Sequence, residues 1–342
     1  MTQGPESAAP EGDSVPGPGA PSGPAADQER VAAMARRLEQ GVETLIAALR
    51  WAVRRAGGDL TEREVEERVA RLLAYLRRRL SGDVEIDAYG FDEDFAQHVY
   101  LPVLRVLYKH WFRVQVRGIA NVPADGPALI VANHSGTLPL DCLMVQVAVH
   151  DSCPEQRFVR LLGADLLFRL PFVGDTVRAG GTTLAAPSDA QRLLAAGEIV
   201  AVWPEGFKGL GKPFSERYRL QRFGRGGFVA TALRTQAPIV PCSIVGSEEI
   251  YPMVADVKLL ARVLGLPYFP ITPLFPLAGP VGLVPLPSKW HIAFGTPIET
   301  ASYDVSAADD PMVTFDLTDQ VRETIQQTLY QLLTQRRNTF LG

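Results

Sequence analysis

The chain has 342 residues, of which 46% are hydrophobic, and its formal net charge is −4. This composition is sufficient for a sizeable core, and the weak negative charge gives no general attraction to nucleic acid. Because the three cysteines are too few for a disulfide scaffold and show no metal-ligand spacing, and because no signal-peptide pattern begins the chain, we expect a reduced, cytoplasmic protein without a bound metal.

The N-terminal part is predicted to form a tail and a helical hairpin. Residues 1–27 are rich in Pro, Gly, Ala and Ser and are expected to be disordered. Residues 28–82 carry two amphipathic helical patterns separated by Gly57-Gly58. The hairpin ends in Arg77-Arg78-Arg79, which would either contact anionic lipid headgroups or belong to a solvated face balanced by glutamates.

The remainder is predicted to be one α/β domain. Residues 83–115 form a connecting segment with a helix from about Asp92 to Trp111. In residues 116–342, apolar strand-like runs alternate with amphipathic helical patterns, which favours a mixed, largely parallel sheet flanked by helices. The last helix should dock on this domain through one apolar stripe, formed by Val321, Ile325, Leu329 and Leu332.

Two polar segments directly follow apolar strands and are the candidates for a site. The first follows the run 127–132 and contains His134 in a loop and Asp141 in the first turn of a helix that Pro139 begins. The second follows the run 199–202 and occupies residues 203–209. A histidine and an aspartate at the mouth of a sheet are typical of general-base chemistry.

Four blocks in order resemble the glycerolipid acyltransferase family, which includes the lysophosphatidate acyltransferases. They are Asn133-His134 with Asp141, residues 167–174, residues 203–206 and the proline-flanked strand 237–242. The resemblance implies a twisted sheet flanked by helices. It also implies transfer of a fatty acyl group from acyl-CoA or acyl-carrier protein to a hydroxyl of a glycerolipid such as lysophosphatidate, without a further cofactor.

The resemblance also implies roles for residues. His134 would accept the proton of the attacking hydroxyl, since histidine has a reference pKa near 6.5 and is largely neutral at cellular pH. Asp141 would fix the tautomer and stabilise the imidazolium, the logic of a hydrolytic triad without its nucleophilic serine. Asn133 and backbone amides near Gly136 or Gly206 are candidate hydrogen-bond donors to the developing oxyanion.

Departures from the family pattern leave the acceptor headgroup open. The resemblance implies that Glu205 and Gly206 bind the acceptor, but the arginine usual after this block is replaced by Lys208, which loses a bidentate grip on phosphate. Arg178 lies near the place of another phosphate-facing arginine. Six residues separate the histidine from the aspartate, as in the branch related to mono- and diacylglycerol acyltransferases, so a neutral acylglycerol is the alternative acceptor.

A basic cluster follows the second polar segment. Its members are Lys212, Arg217, Arg219, Arg222 and Arg225. They would bind the acceptor phosphate or the nucleotide part of coenzyme A, or they would form a solvated surface. The sequence leaves these alternatives open.

The segment 263–288 carries no charge. Its seven prolines exclude a membrane-spanning helix, and the period of three in Pro267, Pro270, Pro273 and Pro276 favours polyproline geometry. The segment would either dip into the membrane interface or pack on the domain. With membrane lipids as partners, we expect peripheral attachment to the cytoplasmic face of a membrane.

Two other classes of function are open to this chain. A catalytically silent lipid-binding or scaffolding protein could keep the fold, although the presence of His134, Asp141 and Glu205 weighs against it. A serine esterase of the common type would need a Gly-x-Ser-x-Gly turn, which the chain lacks. The sequence therefore predicts an enzyme of the acyltransferase type.

Overall fold

The computed structural model describes residues 70, 74–79, 81, 82, 84–224 and 226–340. The chain divides into two compact units, Met1–Ala74 and Tyr75–Gly342. The predicted tail 1–27 and most of the predicted hairpin 28–82 lie outside the described residues, as does Arg225. No helix in the described part of the chain is both long enough and apolar enough to cross a bilayer.

Strands and helices alternate along the second unit. Its described strands are β1 Gln115–Arg117, β2 Ala128–Ala132, β3 Val159–Gly163, β4 Thr182–Leu184, β5 Ile199–Val202, β6 Ile239–Val245, β7 Ala255–Asp256, β8 Pro270–Ile271 and β9 His291–Phe294. Its described helices are α1 at 93–111 (with two π-helical stretches), α2 Leu140–Ser152, α3 Asp165–Arg169, α4 Val173–Ala179, α5 Pro187–Ala195, α6 Phe207–Leu210, α7 Gly227–Thr235, α8 Lys258–Leu264 and α9 Pro311–Gln335. Short 3₁₀ helices lie at Ile119–Asn121, Phe214–Glu216, Ser247–Glu249, Gly279–Leu283 and Val305–Asp309.

Seven strands form one sheet in the order β1-β9-β6-β2-β5-β3-β4. Every neighbouring pair is parallel except β6 and β9, which are antiparallel. β2 lies at the centre, where Ile130 is opposite Ala201 of β5 and Val240 of β6. All residues of β2 are buried, as expected for a strand covered on both faces. The predicted mixed sheet flanked by helices is confirmed.

Helices cover both faces of the sheet, and alternate residues of a strand face opposite cores. On β2, Ile130 packs into the core shared with α1 and α2, whereas Leu129 and Val131 pack into the core shared with α5, α7 and α9. The predicted stripe of α9 is confirmed, since Val321 and Ile325 are fully buried. Full burial of such a side chain contributes about 1.5–3 kcal/mol.

Helix α1 begins at the predicted place, because Asp92 caps it by accepting the backbone N–H of Phe95 at 2.8 Å. Two arginines of the predicted lipid-binding run pair with acidic residues at this helix start. Arg79 pairs with Asp92, and Arg78 pairs with Asp94. These ion pairs favour the interpretation of the run as a charge-balanced face.

The polyproline geometry that Pro267, Pro270, Pro273 and Pro276 favour does not extend through the segment 263–288. Helix α8 extends into its first residues, and a 3₁₀ helix spans Gly279–Leu283. Pro270 pairs with Asp256 in the antiparallel ribbon of β7 and β8. A ribbon of two short strands tolerates proline, because each strand has one edge that needs no N–H donor.

Candidate active site

Three adjacent parallel strands, β6, β2 and β5, end at the same edge of the sheet, and each leads into polar residues. β2 leads into His134, β5 leads into Glu205, and β6 leads into Ser247. In α/β sheets, ligands bind outside the carboxyl ends of the strands. The fold therefore brings together the two polar segments predicted from the sequence and adds a third.

His134 and Asp141 form a hydrogen-bonded pair, with 2.8 Å between Nδ1 of His134 and Oδ2 of Asp141. Asp141 is fully buried in the first turn of α2, and its carboxylate also accepts the backbone N–H groups of Ser135 and Cys142, each at 3.0 Å. Because the carboxylate accepts, Nδ1 of His134 carries the proton. Nε2 is then the nitrogen whose lone pair can accept a proton from a substrate.

The loop between the two residues is shaped by a glycine and by contacts with the end of β6. Gly136 has φ of +95°, and a Cβ atom there would lie 2.7 Å from the carbonyl oxygen of Ser247. The hydroxyl groups of Ser135 and Ser247 are hydrogen-bonded to each other. Pro139 is the N-cap of α2, which begins one residue later than predicted. Six intervening residues are therefore compatible with the His–Asp contact.

Glu205 holds the backbone of the histidine loop. One carboxylate oxygen accepts the N–H of His134 at 2.8 Å, and the other accepts the N–H of Gln221 at 2.6 Å. The residue is only 4% exposed. Burial raises the pKa of Glu205, while the nearby Lys212 and both N–H donors act in the opposite direction. This geometry positions His134, which differs from the acceptor-binding role predicted for Glu205.

The glycines after Glu205 serve the turn and its packing. Gly206 has φ of +54° and donates its N–H to the carbonyl oxygen of Trp203 at 3.0 Å, so this N–H is not available to an oxyanion. At Gly209 a Cβ atom would lie 2.6 Å from the carbonyl oxygen of His134. This close approach was not predicted. The sequence feature that indicates it is the run of closely spaced glycines at 206, 209 and 211.

Both polar atoms of the Asn133 side chain form hydrogen bonds with the neighbouring strand β6. Its side-chain nitrogen donates to the carbonyl oxygen of Ile244 at 3.0 Å, and its side-chain oxygen accepts the N–H of Ile244 at 2.7 Å. Asn133 is 1% exposed. These contacts join the end of β2 to β6 and weigh against the predicted role of Asn133 as an oxyanion donor.

Lys212 lies in a buried charged cluster behind Glu205. Its ammonium is 2.8 Å from Oε1 of Glu248 and 3.9 Å from Oε2 of Glu205, and it donates to the carbonyl oxygen of Arg219 at 3.1 Å. The side chain of Lys212 is 1% exposed, which weighs against the predicted contact with a phosphate or coenzyme A. Burial raises the pKa of Glu248 to about 7, although Lys212 opposes the shift.

The cluster continues through residues that sequence reasoning missed. Tyr218 donates its backbone N–H to Glu248 at 3.1 Å and its hydroxyl to Glu249 at 2.5 Å. Arg336, just beyond α9, donates to Glu249 at 2.8 Å. Burial and the Glu249 carboxylate both raise the pKa of the Tyr218 hydroxyl. The sequence signal is the acidic pair that directly follows the buried strand β6.

The other four basic residues that were predicted to bind a substrate do not lie together in the structure. Lys208 is exposed in α6, the short helix that packs against the histidine loop. Arg178 lies in the last turn of α4 and stacks over the ring of Phe168 at 4.8 Å. Arg217 and Arg222 line two separate cavities. Of these four, Lys208 is the one that the structure places next to the dyad.

The dyad and Cys142 together have the residue types of a metal site. One ligand atom from each of His134, Asp141 and Cys142 lies within 4.8 Å of the others. Burial and the neighbouring Asp141 raise the pKa of the Cys142 thiol well above its usual range. Nδ1 of His134 is engaged by the carboxylate of Asp141, so these two groups already form a hydrogen-bonded dyad.

Residues 113–245 match the family model described as Acyltransferase, a range that contains the dyad, Glu205 and the three central strands. These residues therefore form a domain of the acyltransferase family. The chain is 59% identical over 323 residues to an uncharacterized protein of Mycobacterium tuberculosis, and the match covers 93% of this chain and 87% of that protein.

Two more distant relatives carry functional names. The acyltransferase is 23% identical over 167 residues to a human protein named DGAT1/2-independent enzyme synthesizing storage lipids, covering 48% of this chain and 50% of that protein. It is 29% identical over 155 residues to 1-acyl-sn-glycerol-3-phosphate acyltransferase alpha of Ovis aries, covering 44% of this chain and 51% of that protein. Each of these two matches thus spans about half of both chains.

Proposed function

We propose that this acyltransferase moves a fatty acyl group from acyl-CoA or acyl-carrier protein to a hydroxyl group of a glycerolipid such as lysophosphatidate. One observation carries the proposal: Nδ1 of His134 lies 2.8 Å from Asp141 at the edge where three parallel strands end. Family membership supports the reaction class, and the buried dyad provides a general base for it.

In the proposed reaction, Nε2 of His134 accepts the proton of the acceptor hydroxyl while the hydroxyl oxygen attacks the thioester carbonyl carbon. The carbonyl oxygen carries the negative charge of the tetrahedral intermediate. When the C–S bond breaks, Nε2 returns the proton to the leaving sulfur, which gives the ester and a free thiol. Asp141 stabilises the intervening imidazolium. The backbone amide of Gly136 remains the candidate donor to the oxyanion.

A neutral mono- or diacylglycerol is the alternative acceptor. Lys208, exposed beside the dyad, is a point charge and offers phosphate no bidentate grip. The similarity to the human storage-lipid enzyme is a second reason to include neutral acceptors. A non-catalytic lipid-binding role is less well supported, because it would not require the buried contacts that orient the histidine.

We further propose that the enzyme attaches peripherally to a membrane through one apolar surface. This surface comprises α8 and the loop that follows β8, where Leu259, Val263 and Leu277 are 71%, 73% and 89% exposed. The hydroxyl of Tyr268, between these two parts, donates to the carbonyl oxygen of Thr137 in the histidine loop. The surface is thus directly connected to the site that would receive a lipid.

The exposed large side chains of the apolar surface are aliphatic, whereas the phenylalanines of the same region are less exposed. Phe269 and Phe275 are only partly exposed, and their ring centroids lie 5.7 Å apart. They pack on each other and stabilise the segment, whereas the leucines and valine of the apolar surface face outward. An exposed apolar patch of this kind marks an interaction site.

The proposal is tested by incubating the purified protein with labelled acyl-CoA or acyl-carrier protein and a panel of acceptors. The panel contains lysophosphatidate, other lysophospholipids, monoacylglycerol and diacylglycerol. We expect esterified product from at least one glycerolipid, formed at least about 10²-fold more slowly by His134→Ala under the same conditions. Product formation that is unchanged in His134→Ala would refute the mechanism, and no product from any pair would favour the non-catalytic alternative.

A further inference from the structure

A cavity of about 640 Å³ lies between the end of α9 and the segment that follows α6. Arginines and aromatic rings dominate its wall, which includes Arg217, Arg219, Arg336, Arg337, Phe214 and Tyr330. We refer to it as the arginine cavity. Its volume is within the range of about 300–1,000 Å³ that is typical of small-molecule sites and far exceeds the space of one phosphate group.

The cavity has an excess of positive charge. Four guanidinium groups face one lining carboxylate, that of Glu249, which pairs with Arg336 at 2.8 Å. In the part of the chain that the structure describes, Arg217, Arg219 and Arg337 form no ion pair with a carboxylate. Several arginines together recognise phosphate through paired N–H donors.

One arginine is fixed in place before any ligand arrives. The side chain of Arg336 is 5% exposed and donates to the carbonyl oxygens of Lys289 at 2.9 Å and Thr339 at 2.8 Å. Its Nε is buried and has no hydrogen-bond partner among the described residues. Elsewhere in the lining, the guanidinium of Arg217 stacks over the ring of Phe214 at 4.5 Å. The cavity thus has preformed parts, which lowers the entropic cost of binding.

The cavity lies at the same edge of the sheet as the dyad. Glu249, in its wall, follows β6, and β6 is the immediate neighbour of β2. Tyr218, also in its wall, donates to Glu248, which is bound by Lys212 next to Glu205. A ligand with one end in the cavity and an extended chain could therefore run toward His134.

We propose that the arginine cavity binds the phosphate-bearing nucleotide end of the coenzyme A donor. The guanidinium groups would contact the phosphates, and Phe214 or Tyr330 would stack on the adenine, an interaction that every base can make. The proposal rests on the proposed function, because it assigns a place to the donor of that reaction. It keeps Arg217 and Arg219 of the predicted basic cluster, leaves out Lys212 and Arg222, and adds Arg336 and Arg337 from just beyond α9.

The test is direct binding of coenzyme A and of adenosine 3′,5′-bisphosphate to the full chain by titration calorimetry. Arg217→Gln and Arg337→Gln should each weaken binding of both probes about tenfold, the effect of losing one charge-assisted hydrogen bond. Arg192→Gln is the matched control, since Arg192 is an exposed arginine on α5, outside the cavity. Unchanged affinity in both cavity variants, or no binding to the wild-type protein, would overturn the proposal.

Steady-state kinetics distinguish a cavity that binds the donor from a cavity that binds the acceptor. In the cavity variants, KM for acyl-CoA should rise about tenfold, whereas KM for an acyl-pantetheine donor, which lacks the nucleotide, should not change. A rise in KM for lysophosphatidate with unchanged binding of coenzyme A would instead assign the cavity to the acceptor phosphate and overturn the proposal. Because calorimetry needs no turnover, a failure of the proposed function would be recognised separately from a failure at the cavity.

Discussion

The site around His134 and the apolar surface differ in how many elements of the fold keep their residues in place. In the site, Asp141 and Glu205 are buried, and each accepts at least two hydrogen bonds. Asp141 is bonded by the loop after β2, and Glu205 is bonded by that loop and by Gln221. The apolar surface consists of the two-turn helix α8 and a loop that contains one 3₁₀ helix. The difference indicates that the sheet preorganises the geometry of the proposed base, while the proposed contact with lipid lies on short elements at the periphery.

The largest effect should come from removing the base. We expect His134→Ala to lower turnover by at least about 10²-fold, because a positioned general base contributes a factor of about 10²–10⁴. The circular dichroism spectrum should be unchanged. The matched control is His110→Ala, which alters an exposed histidine of α1 and should retain full activity. Near-normal turnover of His134→Ala would exclude the general-base mechanism.

The apolar surface should give the next largest effect, on membrane binding. We expect the triple change Leu259→Ser, Val263→Ser and Leu277→Ser to reduce partition onto phospholipid vesicles about 30-fold. This corresponds to about 2 kcal/mol of lost apolar burial at about 25 cal/mol per Å². Because apolar insertion is not screened, wild-type binding measured by co-sedimentation should survive high salt.

The control for membrane binding is a pair of exposed apolar residues elsewhere. Met312 and Phe315, at the start of α9, are 66% and 54% exposed. Their replacement by Ser should leave vesicle binding unchanged. Binding that disappears at high salt but tolerates the triple change would shift the membrane contact to basic residues.

The variant Glu205→Gln tests whether Glu205 positions His134 or binds the acceptor. We expect Glu205→Gln to lower kcat about tenfold, because an amide cannot accept the N–H groups of His134 and Gln221 with both of its polar atoms. The acceptor KM should change little. A raised acceptor KM with unchanged kcat would show instead that Glu205 binds the acceptor, as the family resemblance implies.

Lys208 should give the smallest effect. We expect Lys208→Ala to raise KM for a phosphorylated acceptor about fivefold, the scale of one exposed charge contact, and to leave KM for monoacylglycerol nearly unchanged. Steady-state kinetics with both acceptors would check this. Equal changes for the two acceptors would mean that Lys208 does not contact the phosphate.

Much of the fold could be predicted from the sequence, because its signals are local. The apolar runs of β2 and β5, the stripe of α9 and the cap at Asp92 each lie within one short window. The contact between His134 and Asp141 was also predictable, since both residues belong to one strand–loop–helix unit. In these cases the pattern along the chain and the packing in space agree.

The partners of charged residues could not be predicted, because they are distant in sequence. Lys212 meets Glu248 across 36 positions, and Glu249 meets Arg336 across 87 positions. Nothing in the basic cluster itself shows that Lys212 faces inward whereas Arg217 lines a cavity. The strand β8 could not be predicted within the uncharged segment 263–288 for a related reason. It pairs with β7, which precedes the segment.

The position of Asp141 on α2 has a consequence for how the protein loses activity on heating. Residues Met144 through His150 of this helix are all buried, so the helix is enclosed on every side. The carboxylate therefore cannot move away from the histidine unless a core helix moves with it. Loss of activity on heating should accordingly coincide with cooperative melting of the whole sheet domain, with no earlier, local inactivation at the dyad.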